Sequence, residues 1–450
     1  MRDLLVAAIV FGSLPFILRT PWYGIIMWSW LGFMNPHRMA WGFITEMPVA
    51  LLVALATLVG LLASREAKKI PWTRESVLLA VFWLWVTLTT FFALYPAFAW
   101  GQLEKVSKIF LMIFVAMMLI TTRERLHVLV WIIVLSIGFY GVKGGIFTIL
   151  NGGVHRVYGP PGTFIDGNNE IGLAMAMTVP LMYYLYRESK HFYVRWGLLA
   201  AMLLTALAAF GTHSRGALLG MIAMGAMLWW KSRQKFFMAL LIGVGYLAVY
   251  EFMPAEWFER MSSIKTYEQD ASAQGRIAAW TMAVNMANDR FFGGGFESFR
   301  WASYRMYLPW YGGGTEAHSA YFEVLGEHGY VGLAMFLALG GFTWLAAARI
   351  RRRTEKIEDL AWMALLMRMT QVSLVAFATA GAFLGMAYFD YTYNLVLFVI
   401  ACNAMLAARA AGQVKATPAR EPADSAAGRA PPVRPAVSGS PVDVVPVRAR

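Results

Sequence analysis

Long apolar segments recur along the chain and are separated by short polar connections. A membrane-spanning helix takes about 20 residues, and after residue 47 eleven segments approach or exceed that length. They cover residues 48–63, 76–94, 106–121, 126–150, 170–186, 196–211, 216–230, 236–252, 320–348, 363–387 and 391–409. Two shorter apolar segments, residues 3–18 and 22–34, precede them and are interrupted by Arg19, Thr20 and Pro21. The pattern predicts an all-α polytopic membrane protein.

The positions of Lys and Arg predict which connections face the cytoplasm. Basic residues cluster in every second connection, as they do in cytoplasmic connections of membrane proteins. The clusters are Arg65, Lys68, Lys69 and Arg74; Arg123 and Arg125; Arg187, Lys190 and Arg195; Lys231, Arg233 and Lys235; and Arg349, Arg351, Arg352, Arg353 and Lys356. The same alternation places the C-terminus inside and residue 47 outside. We therefore expect about 12 transmembrane helices, with residues 1–46 crossing once as a broken passage. Two full crossings and an external N-terminus are the alternative.

The chain is predicted to have a transmembrane domain, residues 1–411, and a tail. Its longest connection, residues 253–319, joins the tenth and eleventh apolar segments on the predicted outer side and is long enough to cover the membrane domain. After Ala411 the composition changes to Pro, Ala, Val and Arg, with seven of the 18 prolines and no aromatic residue. Residues 412–450 are therefore predicted to be a disordered cytoplasmic tail.

Composition excludes several other classes of protein. Of the 450 residues, 59% are hydrophobic and 14% charged, whereas soluble domains have about 45–50% apolar and 25% charged residues. The net charge of +13 would favour a nucleic-acid partner in a soluble protein, but basic connections between membrane helices account for it. No nucleic-acid partner is predicted. The single cysteine, Cys402, and the scattered histidines also disfavour a disulfide framework and a metal site.

Several cations lie on the predicted outer side, against the general pattern. They are Arg38, Lys105, Arg156 and Arg215 in the shorter connections, and Arg260, Lys265, Arg276, Arg290, Arg300 and Arg305 in the long connection. The long connection also contains seven acidic residues, so its charge alone predicts nothing. Arg215 begins an apolar helix, where a cation near membrane depth costs about 2.5–3.5 kcal/mol, so an anionic partner is expected.

The guanidinium group of arginine matches phosphate oxygens with a planar fork of donors, and the pyrophosphate of a lipid would lie at the depth of these cations. A lipid-linked pyrophosphate is therefore one hypothesis for their shared ligand. The alternative is that each cation contacts membrane headgroups or pairs with a carboxylate. The candidate carboxylates are Glu104, Asp166 and Glu297.

One histidine is placed for acid–base chemistry. His318 lies where the long connection returns to an apolar segment. A neutral imidazole suits a general base because its unperturbed pKa is about 6.5. A helix cap or a structural hydrogen bond is the alternative. His328, deeper in the same segment, is predicted to be structural.

Several short motifs occur in a specific order. They are Ser214-Arg215-Gly216, Gly275-Arg276-Ile277-Ala278-Ala279-Trp280, Phe292-Gly293-Gly294-Gly295-Phe296-Glu297-Ser298-Phe299, His318-Ser319, and Glu323-Val324-Leu325-Gly326-Glu327-His328-Gly329-Tyr330-Val331-Gly332. Across residues 205–340 the chain resembles the O-antigen ligase and polymerase superfamily, and the helix count is compatible over residues 1–411. The N-terminal Trp28-Ser29-Trp30 and Asn35-Pro36-His37-Arg38 resemble the O-glycosylation ligases of the ligase branch. The superfamily often has His-Asn where this chain has His318-Ser319.

The resemblance implies a metal-independent, inverting glycosyltransferase with no cofactor, in the bacterial inner membrane with its active site facing the periplasm. The donor would be a glycan on undecaprenyl pyrophosphate and the acceptor the lipid A–core oligosaccharide, both embedded among membrane lipids. Arg215 and Arg276, with Arg156, Arg38 and Lys105, would bind the pyrophosphate. His318 would orient or deprotonate the acceptor hydroxyl.

Two other functions stay open. The acceptor could be a protein or another glycan repeat unit, which would make the protein an O-oligosaccharyltransferase or a polymerase. A transporter of lipid-linked glycans, a different class, would use the same cations and would need ionisable residues along a path through the membrane. Lys143 and Arg368 are the main candidates for such a path.

Overall fold

The structure, a computed structural model, describes residues 1–66, 68–232, 234–262 and 271–412, with only the backbone for residues 271 and 272. Within those ranges the chain is helical and contains no strand. The predicted all-α class is confirmed. Of the predicted tail, residues 413–450 lie outside the described part.

Sixteen α-helices occur in the described residues. They are α1 (Arg2–Arg19), α2 (Trp22–Phe33), α3 (Val49–Ala63), α4 (Arg74–Phe91), α5 (Pro96–Leu119), α6 (Arg123–Leu150), α7 (Asn168–Glu188), α8 (Phe192–Gly211), α9 (Arg215–Lys231), α10 (Lys235–Phe252), α11 (Ala255–Ser262), α12 (Ala271–Asp289), α13 (Trp301–Tyr307), α14 (Ala320–Thr354), α15 (Ala361–Ala380) and α16 (Asp390–Ala410). Each of the eleven apolar segments predicted after residue 47 coincides with one of these helices.

Seven spans in the described residues are long and apolar enough to cross a membrane. They contain α4, α6, α8, α10, α14, α15 and α16. The helix α3 is apolar but shorter, and α5 carries Glu104, Lys105 and Lys108 near its middle, which lowers its mean hydropathy. The total of about 12 crossings therefore stays a prediction, as does the path of α1 and α2, which are separated at Thr20 and Pro21.

Small residues let the central helices approach closely. Gly141 and Gly145 of α6 are four residues apart, the spacing at which membrane helices commonly pack. A Cβ atom added at Gly145 would lie 2.3 Å from the carbonyl oxygen of Leu204 in α8. The backbones of α6 and α8 are thus in contact, and α15 packs against α7 and α9.

Two predicted helices are interrupted. The apolar segment 320–348 contains Gly329, whose φ of 68° breaks α14 into two parts; a Cβ atom there would lie 2.4 Å from the carbonyl oxygen of Phe291. The segment 363–387 was predicted as one helix, but α15 ends at Ala380 and a short 3-10 helix, Gly381–Phe383, follows. Residues 384–389 then form a non-helical connection to α16. Both interruptions lie beside the candidate site.

Candidate functional site

Three arginines from three helices line one cavity of about 260 Å³. Arg215 begins α9, Arg260 lies on α11 and Arg276 on α12. We call this space the arginine cavity; its wall also includes Trp280 and Phe383. Three guanidinium groups around one space supply hydrogen-bond donors from several directions. The cavity is therefore suited to an anion with several oxygen atoms.

The start of α9 also favours an anion at this place. Ser214 is the N-cap residue, and its Oγ accepts a hydrogen bond of 3.2 Å from the backbone N–H of Ala217. The N-terminus of a helix carries a partial positive charge and favours anions. Arg215 thus adds its side-chain charge at a place where the backbone already favours negative charge.

Arg260 is fixed by the turn that precedes α9. Its Nε donates a hydrogen bond of 2.9 Å to the carbonyl oxygen of His213, whose φ of 54° is in the left-handed region. The ring of His213 in turn lies 2.8 Å from the carbonyl oxygen of Gly153 through Nε2. These contacts join α11, the start of α9 and the connection 151–167. The sequence places Arg260 among the outer cations of the long connection but assigns it no role, because the charges of that connection nearly cancel.

His318 is joined to the arginine cavity through Trp280. The indole N–H of Trp280 donates a hydrogen bond of 3.0 Å to the carbonyl oxygen of Ala317, and its ring stacks on Phe322 with centroids 4.9 Å apart. Arg276 lies one turn before Trp280 on α12. His318 itself has a φ of 42°, a conformation that is uncommon outside glycine and that occurs often at functional sites.

The surroundings of His318 favour its neutral form. Burial lowers the pKa of His318, and the nearby Arg276 cation lowers it further, while Glu316 acts in the opposite direction. The reference pKa of histidine is about 6.5. The imidazole is therefore neutral at pH 7 and able to accept a proton.

The remaining predicted cations do not line the arginine cavity. Arg156 is exposed in the connection 151–167. Burial is the largest cause of the lowered pKa of His213, and the charges of Arg156 and Arg260 lower this pKa further. Arg38 and Lys105 line a separate cavity of about 470 Å³, which we call the α5 cavity. The five cations that were expected to bind one pyrophosphate therefore do not lie together. Their positions on the same predicted side of the membrane do not determine which helices they lie between.

The carboxylates that were candidates for pairing with these cations make other contacts. Glu104 pairs with Lys108 at 2.5 Å, and Glu297 pairs with Arg300 at 3.3 Å. Asp166 accepts a hydrogen bond of 2.8 Å from the backbone N–H of Gly162.

Two carboxylates, buried Glu327 and half-buried Glu323, brace the helix that follows His318. Glu327 accepts a hydrogen bond of 2.6 Å from the hydroxyl of Tyr388 and one of 2.8 Å from the backbone N–H of Glu297. Glu323 accepts one of 3.0 Å from the backbone N–H of Ala387. The first part of α14 is thereby joined to residues 384–389 and to the glycine-rich segment 293–297. His328, also buried, lies 2.7 Å from Thr89 Oγ1 through Nδ1.

The sequence singled out the motif that contains Glu323 and Glu327 but assigned the two residues no role. The sequence feature that could have identified them is the presence of two acidic residues, four positions apart, at the start of an apolar helix. Such residues need hydrogen-bond partners when buried. Those partners lie between 30 and 64 positions away in the chain, so the sequence alone does not identify them.

Removal of the Tyr388 hydroxyl is expected to destabilise the protein. In Tyr388→Phe, Glu327 loses a buried hydrogen bond, which costs about 1–3 kcal/mol. The measurement is the thermal unfolding midpoint in detergent. The matched control is Tyr330→Phe, which removes the hydrogen bond between the hydroxyl of exposed Tyr330 and Asn288 and should leave the midpoint nearly unchanged. Equal midpoints for the two variants would contradict the bracing role.

The described part of the chain contains no group of three or more His, Cys, Asp or Glu side chains arranged to hold a metal ion. The expectation of a metal-independent reaction stays a prediction.

Two segments of the chain match known protein families. Residues 200–337 match the family model described as O-antigen ligase. This segment is a domain of the O-antigen ligase superfamily. Residues 1–190 match a family of unknown function (DUF5935). No curated protein matches the chain.

The O-antigen ligase domain contains Arg215, Arg260, Arg276 and His318, and hence most of the arginine cavity. It coincides with the residues 205–340 on which the resemblance was based, so the family prediction is confirmed. The family together with the seven apolar spans indicates a multi-pass membrane protein with a ligase- or polymerase-type glycosyl-transfer function. The α5 cavity is lined mostly by residues of the segment 1–190.

Proposed function

We propose that the protein is an O-antigen ligase of the bacterial inner membrane. It transfers a glycan from undecaprenyl pyrophosphate to the lipid A–core oligosaccharide at the periplasmic face. The observation that carries this proposal is the arginine cavity, where Arg215, Arg260 and Arg276 meet beside a histidine that is neutral at pH 7. An anion-binding cavity next to a base is what glycosyl transfer from a pyrophosphate donor needs.

The arginines act on the leaving group. As the bond between the anomeric carbon and the pyrophosphate oxygen breaks, negative charge grows on that oxygen. Preorganised cations and the N-terminus of α9 stabilise this charge, and such electrostatic stabilisation is commonly the largest catalytic contribution. Arg156, exposed near His213, would add a further cation. The arginines would take the place of a divalent cation.

His318 acts on the acceptor. Its imidazole accepts the proton of the acceptor hydroxyl while that oxygen forms a bond to the anomeric carbon on the face opposite the pyrophosphate. The configuration at this carbon is therefore inverted. Lipid pyrophosphate leaves with the electron pair of the broken bond, and the proton on His318 passes to solvent. The bracing of α14 by Glu323 and Glu327 supports the geometry of this step.

A transporter is less well supported by the positions of the intramembrane cations. Lys143 on α6 and Arg368 on α15 are both exposed, whereas a transport path would bury ionisable residues inside the helical domain. The cations of the arginine cavity come from the ends of helices and from the long connection. This arrangement favours a reaction on one side of the membrane.

Glycan transfer in reconstituted membranes tests the proposal. We expect purified protein to transfer glycan from undecaprenyl pyrophosphate to lipid A–core, and to retain its rate when EDTA removes divalent cations. Parallel reactions contain a peptide acceptor or donor alone, so that protein glycosylation and polymerisation are detected as separate products. Loss of transfer with EDTA and its recovery with Mg²⁺ would contradict the metal-free mechanism. Movement of the donor across the bilayer without transfer would identify a transporter.

A further inference from the structure

The α5 cavity is built by five separate parts of the chain. Its wall comes from α2 and the residues that follow it, from the start of α3, from one face of α5, from the turn 162–164 and from the start of α16. At about 470 Å³ it is larger than the arginine cavity, and its lining residues are different. The proposed donor site leaves this cavity without a role.

Cations face the α5 cavity from two sides. Gln102, Lys105 and Lys108 recur at intervals of three residues and so share one face of α5. Arg38 lies on the other side, next to His37. Asp390 is the one carboxylate among the lining residues that the structure describes, and Glu104 compensates Lys108. Arg38 and Lys105 outweigh Asp390, so the cavity is net positive.

Hydrogen bonds within the protein hold the segment that carries Arg38. The hydroxyl of Tyr140 donates a hydrogen bond to the carbonyl oxygen of Met34, and Thr45 donates one of 3.2 Å to the carbonyl oxygen of His37. Asn35 has a φ of 49° and donates a hydrogen bond of 2.6 Å to the carbonyl oxygen of Gly32. Arg38 therefore projects from a preorganised turn.

Part of the cavity wall is apolar. Trp28 and Leu31 of α2, Ile109 of α5 and Phe164 line it beside the polar residues. A free phosphate ion would leave this wall without a partner, whereas an amphiphile would cover it and present its charged headgroup to Arg38 and Lys105. The lining thus favours a phosphate-bearing lipid.

The connection 151–167 relates the two cavities. Its residues 162–164 line the α5 cavity, and α7, which follows it, places Asn169 in the wall of the arginine cavity. The side chain of Asn168 donates a hydrogen bond of 2.8 Å to the carbonyl oxygen of Thr212, just before α9. Both cavities therefore lie at the end of the helical domain where α7 and α9 begin.

We propose that the α5 cavity binds phosphate groups of the acceptor lipid and is the acceptor subsite of the transferase. The inference rests on the proposed function, because a transferase with two lipid-linked substrates needs a second amphiphile site at the same end of the domain. Arg38 and Lys105 bind the phosphate, and the aromatic and aliphatic wall contacts the lipid. Residues 1–190, the segment that matches a family of unknown function, thereby recognise the acceptor.

Steady-state kinetics with both substrates varied test this role. Loss of one charged hydrogen-bond donor in Arg38→Gln or Lys105→Gln is expected to raise the acceptor KM about tenfold, with the donor KM unchanged. Arg38→Lys, which keeps the charge, should recover part of the loss. The matched control is Arg305→Gln, an exposed cation that lines neither cavity. A rise in the donor KM instead would overturn the proposal and return these cations to the donor.

A binding measurement separates this proposal from the proposed function. Lipid A–core is titrated into the intact, detergent-solubilised protein without donor, in parallel with dephosphorylated lipid A–core and with phosphatidylglycerol. We expect the phosphorylated acceptor to bind about tenfold more tightly than the dephosphorylated one, and this difference to vanish in the Arg38→Gln Lys105→Gln double variant. Such binding without transfer would refute the ligase activity but support the subsite. Equal binding of all three lipids, or no binding, would overturn the subsite.

Discussion

Replacing His318 with alanine is expected to lower the turnover rate of glycan transfer by about 10²–10⁴-fold, the usual contribution of a general base. The donor KM should change little, because the arginine cavity stays intact. The measurement is the initial rate at saturating donor and acceptor. His191→Ala, which removes an exposed histidine at the start of α8, is the control and should retain full activity. A His318→Ala protein that is folded and turns over at the normal rate would refute the assignment of the base.

His318 is also expected to set the pH dependence of glycan transfer. Because burial and the Arg276 cation lower the pKa of His318, the neutral imidazole persists below pH 6.5, and activity should fall only as the pH drops through this lowered pKa. Arg276→Gln removes one of the two lowering influences. We expect its acid limb, normalised to its own maximum, to shift to higher pH. A structural histidine would produce no such shift.

The helices could be predicted from the sequence because apolar length is a local property. Each of the eleven predicted segments after residue 47 is a helix. The break at Gly329 could not be predicted, since this glycine lies in an apolar segment and its left-handed backbone depends on the close approach of Phe291. The early end of α15 at Ala380 also depends on contacts between distant segments, because Tyr388 and Ala387 donate hydrogen bonds to carboxylates on α14 and so hold residues 384–389.

The candidate site could be predicted in part. The motif order singled out Arg215, Arg276 and His318, and the structure places both arginines in one cavity and joins His318 to it through Trp280. The sequence could not separate Arg38 and Lys105 from this group, because alternation of charge gives the side of the membrane and not the position within it. Contacts between distant segments make that distinction, as they do for the bracing carboxylates.

Removal of the cations at the arginine cavity is the second change with a large expected effect. Loss of one preorganised group that stabilises developing charge costs about 10²–10³-fold in rate, or about 2.7–4 kcal/mol. We therefore expect Arg215→Ala and Arg276→Ala each to lower kcat/KM for the donor by about this factor. The pyrophosphate is bound in the ground state as well as in the transition state, so the donor KM should rise while kcat falls.

Lysine substitution distinguishes charge from geometry at the same positions. Arg276→Lys keeps the positive charge but loses the planar fork that binds phosphate with two donors, so its kcat/KM should lie between those of the wild type and Arg276→Ala. The double variant should lose less than the product of the single losses, because neighbouring groups that act on one anion are not additive. Arg305→Ala, whose arginine is exposed outside the cavity, should leave kcat/KM unchanged. If Arg215→Ala and Arg276→Ala raised only the acceptor KM, the arginine cavity would be the acceptor site and the donor would have to bind elsewhere.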